Sequence, residues 1–484
     1  MFIEPAYVAA WTLPAVVGSG IWFALRDRAR GAGDICAAIG AGWLIGLIVA
    51  TECARFAAVD DTAHTFARTW PWCAGIGLVA WILAIARMRR MPVRMARDET
   101  ASSKWMRWAW WLLLLWIVAR FLLIGDEAWL RPVFPWDAWS AWATKPKAWF
   151  FAGRVEPFVS MADWLAHPKE ALRTEAAWSY PELLAWVQLW FASATGVWNE
   201  PLVDVAWCGA LAAFALAAYG YWRASGLAPW IAMALVYGLV SLPLIDAHVA
   251  LAGYADLWVA LVLGLATLAW SRWLIGRERG QWLLAVASAL CLPAIKLEGM
   301  VWLLVFSAIV VIDLVPRRWR WHAVIGFGVI AMLGLVVANE LGSIQLTWNQ
   351  IEIPSLGTFA LAWHGVGGAM ADSLFTLPNW HLLWYVFPVL LVLRRRRFRE
   401  DRAASLVGLM LLIDFALLFV LFFFTTASAW AQDFTSANRL ILQLVPSVFV
   451  LAAVLLRPGI ADGLESSRAD RRTTRARVAP SVPA

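Results

Sequence analysis

The stretch that decides the reading is residues 125–158, GDEAWLRPVFPWDAWSAWATKPKAWFFAGRVEPF, continued by WSYPELLAW at 178–186. It follows an apolar span and holds the densest polar chemistry in the chain. Pro135 suits the first position of a helix, where its missing N–H leaves no bond unmade. Asp137 then falls in the first turn, where the helix N-terminus stabilises a carboxylate. At about 100° per residue, Trp136, Trp139, Trp142 and Trp149 gather on one side, and Asp137, Ser140, Thr144 and Lys147 on the other. Pro146 is expected to bend or end this helix near Thr144, because proline disfavours the α conformation in the residue before it. The pattern predicts a short helix in the membrane interface. Tryptophans there are accounted for by an anchoring belt, but an acid at position 137 is not.

Working outward, the 484 residues are 62% hydrophobic and 15% charged, with mean hydropathy +0.67 and 36 Trp. Soluble domains carry about a quarter charged residues, so the composition predicts an all-α, polytopic transmembrane helical bundle embedded in the lipid bilayer. The net charge of +7 does not imply nucleic acid, because the basic residues sit in short clusters between apolar spans and report topology. The five cysteines, Cys36, Cys53, Cys73, Cys208 and Cys291, have neither CxxC nor zinc-like spacing and imply no disulfide framework or metal site.

A helix needs about 20 apolar residues to cross the hydrocarbon, and about thirteen candidate spans can be marked on that basis. Three precede the central loop, at 6–25, 34–51 and 71–86. The fourth, at 105–124, leads into a large outward loop at 125–200. Nine more follow between 202 and 456, with the apolar piece at 180–195 read as an interfacial helix. The chain divides accordingly into extra N-terminal helices at 1–104, a main membrane domain at 105–456 and a basic, disordered tail at 457–484. Most of the 40 Lys and Arg fall on one side in this topology. That places the N-terminus outside and the C-terminus inside. The first span lacks a cationic start and is expected to be retained.

The unusual polar residues collect on the outward side: Asp126, Glu127, Asp137, Lys145, Lys147, Arg173, Asp256, Lys296, Glu298 and Arg439. Ionisable groups at membrane level are costly and line cavities or pathways, so a shared outward site is expected.

WDAWSAWATKPKA at 136–148 resembles the tryptophan-rich acidic motif in the first loop of bacterial members of the GT-C superfamily of polytopic glycosyltransferases. SYPELLAW at 179–186, GYADL at 253–257, KLEG at 296–299 and SANRLILQLVP at 436–446 are similar to further family segments in the same order. The resemblance covers residues 105–456, with three additional spans ahead of the loop-bearing one. It implies transfer of a sugar from a polyprenyl-phosphate-linked donor to a glycan, lipid or protein acceptor, at the periplasmic face of the cytoplasmic membrane. The implied reaction is an inverting single displacement with Asp137 as general base. Asp126 and Glu127 are rivals for that role, and Asp256 is a second acidic site. Lys145, Lys147, Lys296 and Arg439 would neutralise the leaving phosphate, with Tyr180, Glu298, Trp136 and Trp139 lining the substrate. The resemblance fixes no cofactor, and a divalent cation is left open. The alternative is a multi-span transporter or flippase of lipid-linked or small anionic substrates, which would show broken helices at the midplane and an inverted repeat.

The topology is checked by cysteine labelling. A Ser160→Cys variant should react from outside, and Ser103→Cys only after permeabilisation. Labelling of both from the same side would contradict the arrangement.

Overall fold

The computed structural model describes residues 4–26, 31, 33–90, 103–340, 344–353 and 357–458. The expected tail lies outside the described residues beyond 458. The molecule is an all-α, multi-pass membrane protein with one small sheet.

Three helices open the chain: α1 (Pro5–Ala24), α2 (Asp34–Ala57) and α3 (Thr65–Arg90). α4 (Lys104–Leu130) then leads into the loop helices α5 (Thr144–Ala152), α6 (Met161–Ala166) and α7 (Leu183–Thr195). α8 (Glu200–Ala224), α9 (Pro229–Val240), α10 (Pro243–Ala250) and α11 (Ala255–Gly276) return through the bundle. α12 (Arg279–Leu290), the short α13 (Leu292–Ile295), α14 (Gly299–Leu314) and α15 (Arg320–Glu340) follow.

The loop after α15 is a three-stranded antiparallel sheet in the order β1 (Gln345–Leu346), β2 (Gln350–Ile353), β3 (Gly357–Ala360), with Ile351 opposite Phe359. Its continuation is tied to the bundle by the Ala362 and His364 amides, which donate to the carbonyls of Phe424 and Phe423. The last helices are α16 (Gly367–Ala371), α17 (Leu383–Leu393), α18 (Arg397–Glu400), α19 (Arg402–Phe424), α20 (Ser428–Gln432) and α21 (Ser436–Leu456).

Among the described residues, eight helices are long and apolar enough to cross a membrane, or nine if the bent pair α9 and α10 is one span. The thirteen expected spans are too many on this measure. Helices such as α14, with 16 residues, and α17, with 11, rise only about 1.5 Å per residue and fall short of a hydrocarbon core about 30 Å thick. α7, with 13 residues, is likewise shorter than a span.

The centre is the pair α11 and α21, whose apolar stretches are 89% buried, against 6% for that of α4. α4 therefore presents its apolar surface outward, as a lipid-facing helix does. α1, α2 and α8 close tightly on small residues: Gly42 abuts Gly18, and Gly40 abuts Ala213. Small residues let helix backbones approach where lipid supplies no hydrophobic drive between helices.

α9 and α10 meet at a 62° bend. Pro243 opens α10, and Leu242 before it is extended, as the residue preceding proline prefers. The carbonyl of Ser241, freed by the break, is paired with His381 Nε2 at 2.9 Å and Arg120 at 3.4 Å. Broken backbone at membrane depth survives only where such partners exist.

Candidate functional site

Asp256, in the first turn of α11, is almost wholly buried. Its Oδ1 accepts from Lys296 Nζ at 2.9 Å and from Gln443 Nε2 at 2.7 Å. Its Oδ2 faces Arg439 Nε at 3.9 Å. Lys296 also pairs with Glu298 Oε1 at 3.0 Å. Arg439 donates through Nη1 to Asp137, through Nη2 to Ser436 Oγ at 3.2 Å, and lies over the Tyr254 ring at 5.1 Å. Three carboxylates thus surround two cations, drawn from the loop after α4, the start of α11, the α13–α14 turn and the start of α21. A buried carboxylate is held only when donors and cations surround it.

Local chain geometry makes this convergence possible. Gly253 has φ +109°, and a Cβ there would lie 2.5 Å from Ala138 Cβ. The turn before Asp256 can therefore receive the 138–142 segment directly, which brings Asp137 beside Tyr254 and Arg439. At the other side, Lys296 is extended, and Gly299 lies so close under the Leu292 carbonyl that a Cβ there would be 2.2 Å from its oxygen. Only glycine permits so tight a turn, and the turn aims Lys296 at Asp256.

Two spaces flank Arg439. One is a chamber of about 140 Å³ bounded by Tyr180, Asp256, Lys296, Glu298, Trp430, Ser436 and Arg439. The other is a cleft of about 410 Å³ bounded by Asp137, His248, Tyr254, Asn379, Asn438 and Arg439. Two buried polar atoms on the cleft walls make no hydrogen bond, Arg439 Nε and His248 Nε2. His248 Nδ1 lies 2.8 Å from the Leu244 carbonyl, so Nδ1 carries the proton and Nε2 is left as an acceptor. A third space, about 680 Å³ and almost entirely apolar, lies between α9, α17 and α21 and is lined by Ser241, Leu242, Trp380 and His381 among others.

The structure brings together Asp137, Asp256, Lys296, Glu298, Arg439 and Tyr180. Other residues expected at the site lie elsewhere. Asp126 is exposed near the end of α4, and Glu127 pairs with Arg131 one turn on. Lys147 binds Glu200 Oε1 at 2.7 Å and ties the loop to α8. Lys145 is buried and donates to the carbonyls of Trp178 and Tyr180 at 2.8 and 2.7 Å.

The expected single helix from Pro135 is also corrected. Residues Ala138–Trp142 form a π-turn, and α5 begins at Thr144 with Pro146 in its first turn, where the absent N–H costs nothing. The wider π-turn rotates the side chains off the ideal wheel. Trp136 and Trp139 stay exposed, whereas Trp142 and Trp149 are buried. Asp137 finds its counter-charge in Arg439 and makes no capping bond.

His248, Tyr254, Trp302 and Gln443 were missed as site residues. Gln443 stands four residues after Arg439, one turn along the same helix face, and its carbonyl holds Trp302 Nε1 at 2.6 Å. That spacing was the available signal. Among the described residues, no group of three or more His, Cys, Asp or Glu could hold a metal ion.

Comparison with known proteins gives a different family from the one the motifs resemble. NADH-ubiquinone oxidoreductase chain 6 of Aethia cristatella is 32% identical over 124 residues, covering 23% of this chain and 70% of the relative. The proteins of the same name from Larus canus and Struthio camelus are 31% and 30% identical over 122 residues, with the same coverage. Over that stretch the chain belongs to the NADH-ubiquinone oxidoreductase chain 6 family. No family model matches, and no solved structure matches. The assignment as a glycosyltransferase is corrected by these relatives, which are by name subunits of an oxidoreductase. Its physical weakness lay in short motifs rich in Trp and Pro. The carboxylate taken for a free base, Asp137, is engaged by Arg439.

Gly253→Ala tests how the site is assembled. The added methyl meets Ala138 in a backbone conformation that L residues disfavour, and should cost about 1–3 kcal/mol. Hydrogen exchange of residues 135–145 should accelerate while α11 stays protected. Unchanged exchange would show that the loop does not depend on this contact.

Proposed function

We propose that this chain is a membrane-embedded subunit of an oxidoreductase assembly that holds an amphipathic ligand of the quinone class, polar head in the cleft beside Arg439 and apolar tail between α9, α17 and α21. The observation that carries the reading is that residues neighbouring in sequence at the break between α9 and α10 line two spaces of opposite character. Ser241 and Leu242 line the 680 Å³ apolar groove, and Leu244 and His248 line the 410 Å³ cleft. The Leu244 amide donates to the carbonyl of Asn379, another cleft residue, at 3.2 Å, while the next residue, Trp380, lines the groove.

One unpaired atom of the cleft suits such a head: His248 Nε2 makes no hydrogen bond and is an acceptor for a quinol hydroxyl. Sites of this kind are mostly apolar with a few placed polar groups. The names of the relatives, which include ubiquinone, support the same class. The distribution of Lys and Arg supports an outward location for the cleft.

An azido-quinone with a long isoprenoid tail tests the proposal in lipid nanodiscs. Photolabelling should map to peptides covering 241–254 and 434–452. His248→Phe should reduce capture at least about tenfold, as loss of a specific polar contact does, and Ala452→Trp should block the tail. Labelling that is absent, or insensitive to both substitutions, would overturn the reading.

A further inference from the structure

We infer that Glu175 is a pH-sensitive latch for the segment that carries Tyr180 into the chamber beside Asp256 and Lys296. Glu175 lies in the loop between α6 and α7, and both of its carboxyl oxygens are buried without a hydrogen-bond partner. Thr144 stands next to it, but its hydroxyl donates to the Trp139 carbonyl at 2.7 Å. Lys145 is the nearest cation, and its ammonium is already bound to the carbonyls of Trp178 and Tyr180. It also lies over the Phe158 ring at 5.8 Å.

The charged group facing Glu175 is Lys145 from α5, and Lys145 itself also faces Glu182 at the start of α7. Lys145 holds residues 178–180 in place, and Tyr180 in turn packs against Trp142 at 5.0 Å between ring centroids. A carboxyl enclosed without donors is comfortable only when neutral. Burial pushes the Glu175 carboxyl up to about 7, with the Lys145 charge and the neighbouring Thr144 hydroxyl opposing part of that rise.

The sign follows from linkage. A carboxyl whose pKa is raised in the closed state favours closure fully below its ordinary pKa, near 4.5, and loses that contribution as pH rises through about 7. Ionised Glu175 must then seek water, and the loop with Tyr180 opens. This device is independent of which ligand the neighbouring cleft takes.

Hydrogen exchange of residues 173–182 in nanodiscs, corrected for the intrinsic pH dependence of exchange, tests it. Protection in the wild type should fall about a hundredfold between pH 5 and pH 8, while α11 remains protected at both. Glu175→Gln should stay protected at both pH values, and Glu175→Leu should do the same. Equal wild-type protection at pH 5 and pH 8 overturns the inference by itself, even if neither variant folds. The same pH dependence in a folded Glu175→Gln protein also overturns it.

Discussion

The site depends on one buried carboxylate that must be surrounded by donors. Asp256 is almost wholly buried inside the bundle, where an ionised group without partners is untenable. Its partners come from far along the chain: Lys296 from the α13–α14 turn, and Gln443 and Arg439 from α21. Satisfying this one residue fixes α11 against α21 and draws in the Asp137 loop through Arg439. Removing either member of such a buried pair leaves the other uncompensated, which is why the arrangement is all-or-none.

The second constraint is the break between α9 and α10. Pro243 ends one helix and begins the next, and the exposed Ser241 carbonyl is satisfied by His381 and Arg120. Arg120 also pairs with Asp246 on α10, so α4 braces the bend even though most of its surface faces outward. The bend separates apolar packing on one side from the charged cluster on the other. A ligand that is itself divided into polar and apolar parts fits that division.

The fold class was legible because apolar composition and clustered Lys and Arg admit few soluble alternatives. The grouping of Asp137, Asp256, Lys296, Glu298 and Arg439 was also legible, since acids and bases at span ends are rare without a shared purpose. Lys145 and Lys147 were misplaced because sequence proximity to Asp137 says nothing about direction. One is bound to backbone carbonyls and the other to Glu200. Periodicity failed at 138–142 because a π-turn does not keep the α-helical angle. The small sheet at 345–360 was illegible because strands of two to four residues leave no alternation to read. The family likeness rested on motifs too short to carry an activity.

The central claim is that Asp256 and Lys296 form one coupled unit that holds the site together. A double-mutant cycle on thermal stability in lipid measures this directly. Asp256→Asn and Lys296→Met should each destabilise by about 3–5 kcal/mol. The double variant should lose less than the sum of the two, because it leaves no lone buried charge. Losses that simply add would show that the two residues act independently and would contradict the account.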